Sequence, residues 1–144
     1  MDTERGNRKI YQMDYKEEII DHYKHPHNFG DLEDPKITVR ENNSSCGDMV
    51  EIYARTRKLK NSRTRKLETM IEVIKWKGVG CAISTAAASM LSDKVMGMGK
   101  KDLEEFGEKG VVDLLGGEIN AGRMKCATLA YKAIRKLFEN VSNT

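Results

Sequence analysis

Residues 67–96 read LETMIEVIKWKGVGCAISTAAASMLSDKVM, and the fold turns on where this stretch changes character. Its first eleven residues are rich in β-branched and bulky apolar side chains, which suit a half-buried strand. After GVG at 78–80 the composition switches to alanine and other small residues, which suit a closely packed helix. A strand is therefore read over 67–77 and a helix over 81–96, stopped by Gly97 and Gly99.

Working outward, residues 49–55, MVEIYAR, alternate Val50, Ile52 and Ala54 with Glu51, Tyr53 and Arg55, the period of a strand with one buried face. KITVR at 36–40 is a short β-branched strand, and Asn61–Ser62 supplies the turn within the basic stretch 55–66, giving an antiparallel meander of three strands. Upstream, DYKEEIIDHY at 14–23 reads as a helix, with Asp14 and Glu17 as a capping box and Tyr15, Ile19 and Tyr23 on one face. Pro26 and HNFGD end it. Downstream, 101–106 and 111–115 read as two short helices, and 126–138 as a longer one with Leu129, Ala133, Ile134, Leu137 and Phe138 on one face. Strands first and helices after predict an α+β domain, a three-stranded antiparallel sheet with helices packed on one face. Residues 1–13 are expected to be a loose arm and 14–144 a single domain.

With 144 residues, 39% hydrophobic and 33% charged, the chain fits a soluble globular protein. No apolar run approaches the roughly 20 residues that span a bilayer, and MDTERGNRKI lacks a signal-peptide core, so a cytoplasmic protein without membrane contact is expected. The segment RTRKLKNSRTRK (55–66) carries seven basic residues and no acid; without it the formal net charge of +3 becomes −4. This stretch reads first as a solvated hairpin end whose charges discourage edge pairing, and second as a docking surface for an acidic partner. Nucleic-acid binding is not expected, because no aromatic residue is interleaved with the charges.

Three widely spaced cysteines, Cys46, Cys81 and Cys126, do not make a disulfide framework. Each lies at a junction: Cys46 before a strand, Cys81 opening a helix directly after Gly80, Cys126 opening another. The first turn of a helix favours a thiolate, which points to a shared reactive or metal site rather than three inert thiols. Zinc or a conventional iron–sulfur centre wants four ligands, and the chain is one sulfur short. Asp48, two residues beyond Cys46, can supply an oxygen; in an extended run both side chains would emerge on the same side, with Gly47 adding no bulk. His22, His25 and His27 are the competing fourth ligands, reachable only if the N-terminal segment folds back. Three thiolates and a carboxylate exceed a divalent charge, and Arg123 and Lys125, just before Cys126, can offset the excess.

The motifs CGD at 46–48, GVGCAIS at 78–84 and RMKCATLAYKAI at 123–134, with the opening YKEEIIDHYKHPHNFG, resemble the U-type iron–sulfur cluster assembly proteins (IscU, SufU and the N-terminal part of NifU) over residues 15–138. The resemblance implies a scaffold that accepts sulfur from a cysteine desulfurase, builds a transient [2Fe–2S] cluster and hands it to apo acceptor proteins, with zinc in the site in some members. The family's ligand cysteines fall on Cys46, Cys81 and Cys126, and its motif aspartate on Asp48. Cys46 and Cys126 are then the candidate sulfur acceptors. RMKCATLA looks most like SufU, a zinc-binding sulfur carrier, whereas the insertion usual in SufU between the second and third cysteines is missing. Lys125 stands where IscU members usually have histidine, and Ser44 stands where proline is frequent. EINAGRMK replaces the leucine-proline-proline-valine-lysine stretch of IscU, which argues against handling by an Hsp70-type chaperone. A zinc sulfurtransferase is the alternative function, and a Cys–His thiol enzyme a third, with little support since no histidine accompanies a cysteine motif. A monomer and a homodimer are both compatible with these residues.

Overall fold

The computed structural model describes residues 17–43 and 47–141. Within it, Val50, Ile52 and Ala54 are buried while Glu51, Tyr53 and Arg55 are not, so the alternation read from the sequence sets the orientation of the central strand. The order is helical residues 17–24 (α1), then β1 (Ile37–Asn43), β2 (Asp48–Lys60) and β3 (Leu67–Val79), then α2 (Ala82–Val95), α3 (Lys100–Leu114) and α4 (Met124–Val141). A turn of 3-10 helix, Ala121–Arg123, leads into α4. The strands form one antiparallel sheet in the order β1-β2-β3.

One face of the sheet is covered. Helix α4 lies over β1 and β2, α2 lies over β3 and against α4, and α3 packs on α4. Ile52, Ile71, Ile74 and Trp76 meet Leu91, Ile134 and Leu137 in one core. Each such aliphatic side chain contributes about 1.5–3 kcal/mol relative to exposure. The outer edge of β3 is not left open: the Trp76 N–H donates to the Asn28 carbonyl at 3.0 Å, and the Ile71 N–H to the Met98 carbonyl at 3.0 Å. Covering an edge in this way blocks pairing with other chains. No helix among the described residues is long and apolar enough to cross a membrane.

Two local readings change. Strand β2 does not stop at Arg55 but runs on to Lys60, so half of the basic stretch is strand and the turn is confined to 61–66. The extension holds because Arg55 and Arg57 reach Glu72 on β3, at 4.0 and 3.6 Å, keeping their charges in water and paired. Residue 72 is itself an extra residue: the register steps from Arg55↔Val73 to Thr56↔Ile71, a bulge that lets Ile71 and Ile74 both face the core. In α1, Ile19 packs against the core but Tyr23 is 47% exposed, because the inward position is taken by His22. Asp14 and Tyr15, also assigned to that helix, lie outside the described residues. The two short helices expected after α2 are both present within the run labelled α3, separated by Gly107, whose φ of 63° is left-handed.

Candidate metal centre

Asp48 opens β2 in phase with Val50, Ile52 and Ala54, so its carboxylate points to the core side of the sheet. It is 3% exposed. Oδ1 accepts a hydrogen bond from the Cys81 N–H at 3.2 Å. Oδ2 is buried and has no hydrogen-bond partner among the described residues. A buried carboxylate oxygen left in that state costs about 1–3 kcal/mol or more, which a cation coordinated there would remove.

The close approach of Asp48 to the start of α2 depends on two glycines. A Cβ on Gly80 would lie 2.2 Å from Ser84 Oγ and 2.9 Å from Asp48 Oδ1. A Cβ on Gly78 would lie 2.5 Å from the Met49 carbonyl oxygen across the β2–β3 pair. Any side chain at either position would push β3 or the carboxylate away.

Cys81 is the N-cap of α2, with an extended backbone and no side-chain capping bond. Its sulfur therefore sits at the positive end of the helix dipole. Burial pushes the Cys81 thiol up, but hydrogen bonds from the Ser84 backbone and side chain, the Cys126 thiol and the Ile83 backbone outweigh it and hold the thiol below its ordinary range. Cys126, the third residue of α4, is 1% exposed. The Asn43 side-chain amide points to its sulfur, with Nδ2 3.9 Å from Sγ. One ligand atom each from Asp48, Cys81 and Cys126 lies within 4.8 Å of the others. A tetrahedral ion bound at about 2.0–2.3 Å from each would hold the donors roughly 3.5–3.8 Å apart, so they close in somewhat on binding. An oxygen and two sulfurs form a donor set that suits zinc or iron rather than magnesium or calcium.

Of the residues singled out from the sequence, Asp48, Cys81 and Cys126 come together from β2, the start of α2 and the start of α4. Cys46 lies outside the described residues. Gly47 has a left-handed φ of 72°, so the strand alternation invoked for Cys46 and Asp48 does not apply; the glycine turns the chain instead. Arg123 and Lys125 are exposed and make no ion pair among the described residues, and successive residues on a helix diverge by about 100°.

The histidines do not approach it. His22 is 8% exposed, with Nδ1 2.6 Å from Ser89 Oγ. Ser89 also accepts the His27 N–H at 2.7 Å, and His27 Nδ1 pairs with Asp93 at 2.5 Å. Ser89 is eight residues past Cys81, about 12 Å along the helix. These histidines clasp the N-terminal segment to the far half of α2, and His25 is exposed to solvent. Burial and the adjacent His27 push the His22 imidazole down, against a weaker upward pull from Glu18, Asp93 and Asp21.

Two site residues escaped the sequence reading. Asn43 was lost because the strand was ended at residue 40; carried on in phase from Ile37 and Val39, it reaches Asn43 on the buried side. Ser84 was readable as the residue one helical turn after Cys81, where its hydroxyl donates to the Cys81 carbonyl at 3.1 Å.

A covered three-stranded antiparallel sheet with two thiols and a carboxylate gathered at one corner defines a small α+β protein with a group of donors that could hold a metal ion. Residues 14–142 match the family model described as the NifU-like N-terminal domain, and the chain belongs to that family. It is 34% identical over 140 residues to the zinc-dependent sulfurtransferase SufU of Bacillus subtilis, covering 85% of this chain and 87% of that one. It is 31% identical over 146 residues to the iron–sulfur cluster assembly scaffold protein IscU of Streptococcus pyogenes serotype M1, covering 90% of this chain and 85% of that one. The N-terminal part of a nitrogen-fixing NifU-like protein from Brucella abortus has the same fold, with a TM-score of 0.68 at 14% identity over 88% of this chain and 93% of that one.

Proposed function

We propose that this protein is an iron–sulfur cluster assembly scaffold, with Asp48, Cys81 and Cys126, joined by Cys46, as the ligands of its cargo. The observation that carries the reading is the buried Asp48 Oδ2, without a hydrogen-bond partner among the described residues and grouped with two cysteine sulfurs. Sulfur enters from a cysteine desulfurase persulfide. A thiolate of this chain, at Cys46 or Cys126, attacks the terminal sulfur, the S–S bond breaks, and the desulfurase cysteine leaves as its thiolate. The chain then carries a cysteine persulfide. Because Cys126 is buried, its role as acceptor requires the corner to open, which the desulfurase would have to bring about.

Asp48 gives the site its exit. A carboxylate oxygen is a harder donor than the thiolate that a permanent cluster would have there, and iron held in part by oxygen is released more readily. The Asp48→Ala variant is expected to keep a [2Fe–2S] cluster longer and pass it more slowly to an apo acceptor protein. Unchanged transfer would sink the labile-ligand role.

A second reading is a zinc-bound sulfurtransferase without scaffold duty, favoured by the RMKCATLA motif and the 34% identity to a zinc-dependent SufU. Bound zinc would cancel two of the negative charges of the thiolates and the carboxylate. Metal and sulfide analysis of protein purified without oxygen decides: coloured protein with about two irons per cluster supports the scaffold, and colourless protein with about one zinc supports the sulfurtransferase.

A further inference from the structure

Asn43 closes β1 on the side that faces the core. The inward positions before it carry Ile37, Val39 and then the half-buried Glu41, which pairs with Lys136, so the strand turns polar on this side before Asn43, whose amide is the more buried of the two. It is 7% exposed, stands opposite Asp48 in the β1–β2 register, and points its amide nitrogen at Cys126 Sγ. A buried amide persists where its protons find acceptors, and the acceptor here is a sulfur 83 residues away in sequence.

On the reading that Asp48, Cys81 and Cys126 are ligands, we infer that Asn43 is a positioning residue for the Cys126 thiolate. Its N–H fixes the direction of the sulfur and draws off part of the negative charge that two thiolates and a carboxylate, two of these three groups buried, concentrate in one corner. Asparagine suits the task because it offers a donor without adding charge. Aspartate would add a competing anion, and leucine of similar volume would fill the space without a donor. Partners of this kind, one step removed from the metal, orient its ligands and tune their basicity.

The test is anaerobic titration of the apo protein with Co(II), read by the thiolate-to-metal charge-transfer absorption, and with Zn(II) against a chromophoric chelator. Wild type is expected to develop the band as about one ion binds per chain; its absence overturns the ligand reading itself and this inference with it. Given the band, Asn43→Leu is expected to keep its far-UV circular dichroism, to shift the band to lower energy, and to bind Zn(II) roughly ten- to a hundredfold more weakly. Asn43→Asp is expected to bind more weakly still. Asn42→Leu, on the exposed side of the same strand, is the control and should match wild type. A folded Asn43→Leu protein with an unshifted band and unchanged affinity overturns the positioning role. Should the leucine variant not fold, Asn43→Ala read by the same band decides on the same terms.

Discussion

At the Asp48–Val79 end of the β2–β3 pair, backbone and carboxylate come so close that two glycines are required, and a buried oxygen has no hydrogen-bond partner among the described residues. At the Lys60–Leu67 end, about 40 Å along the strand, Leu67 is 72% exposed and Lys60, Arg65 and Lys66 make no ion pair among the described residues. The same two strands thus run from a crowded corner that buries Asp48 to a wet, charged tip. The difference follows from desolvation. Polar groups taken out of water need partners at defined distances, so the corner tolerates little change. Charges left in water are screened and interact weakly, so the tip constrains the fold hardly at all. If the tip docks an acidic partner, that contact lies far from the ligands.

Substitutions can break or sharpen this contrast. The largest effect is expected from Gly80→Ala, whose new methyl group displaces the Asp48 carboxylate or the Ser84 hydroxyl. Zn(II) affinity should fall by up to roughly a hundredfold, measured by chelator competition; retained affinity would show that the corner has more slack than its contacts imply. Next comes Gly78→Ala, which presses on the Met49 carbonyl. A loss of about 1–3 kcal/mol in urea unfolding is expected, and a smaller loss would mean that β2 and β3 part easily at this end.

Between the two ends lies the histidine clasp on α2, which tests whether buried polar groups away from the ligands are as demanding. The imidazole of His22 is held below its ordinary value of 6.5, so the folded state binds fewer protons than the unfolded one in that range. Stability due to His22 is therefore complete at neutral pH and is lost as pH falls below 6.5, levelling off once the folded form also protonates. Urea midpoints of His22→Gln across pH 5–7.5 should vary less steeply than those of wild type; parallel curves would remove the clasp as a titrating contact. The smallest effect is expected at the tip. Reversing charge at Lys60, Arg65 and Lys66 should leave the unfolding midpoint where it is, and change only the salt dependence of stimulation by a cysteine desulfurase. A stimulation that ignores both the substitution and the salt would reduce the tip to a solvated hairpin end.

Reading the sequence recovered the element order because strand and helix periodicity are local properties. Val50, Ile52 and Ala54 announce their strand within five residues, and the alanine run after Gly80 announces its helix. Strand ends were less legible. Arg57, Lys58 and Lys60 look like a turn until Glu72 is seen to pair with Arg57 across the sheet. The bulge at that position has no local signature, since two core isoleucines three residues apart fit a helix as well as an interrupted strand.

The sequence by itself determined the α+β class, the family, and the three cysteine contexts with the aspartate beside the first, because each is written in contiguous residues. Only the tertiary structure decided which donors meet. Asp48, Cys81 and Cys126 converge through the β2–β3 register, the two glycines that permit contact, and the packing of α4 over β1 and β2. The same long-range packing draws Asn43 to Cys126 and turns the histidines away to Ser89 and Asp93. Ligand geometry is a property of distances between distant segments, and such distances are set by the core as a whole rather than by any motif.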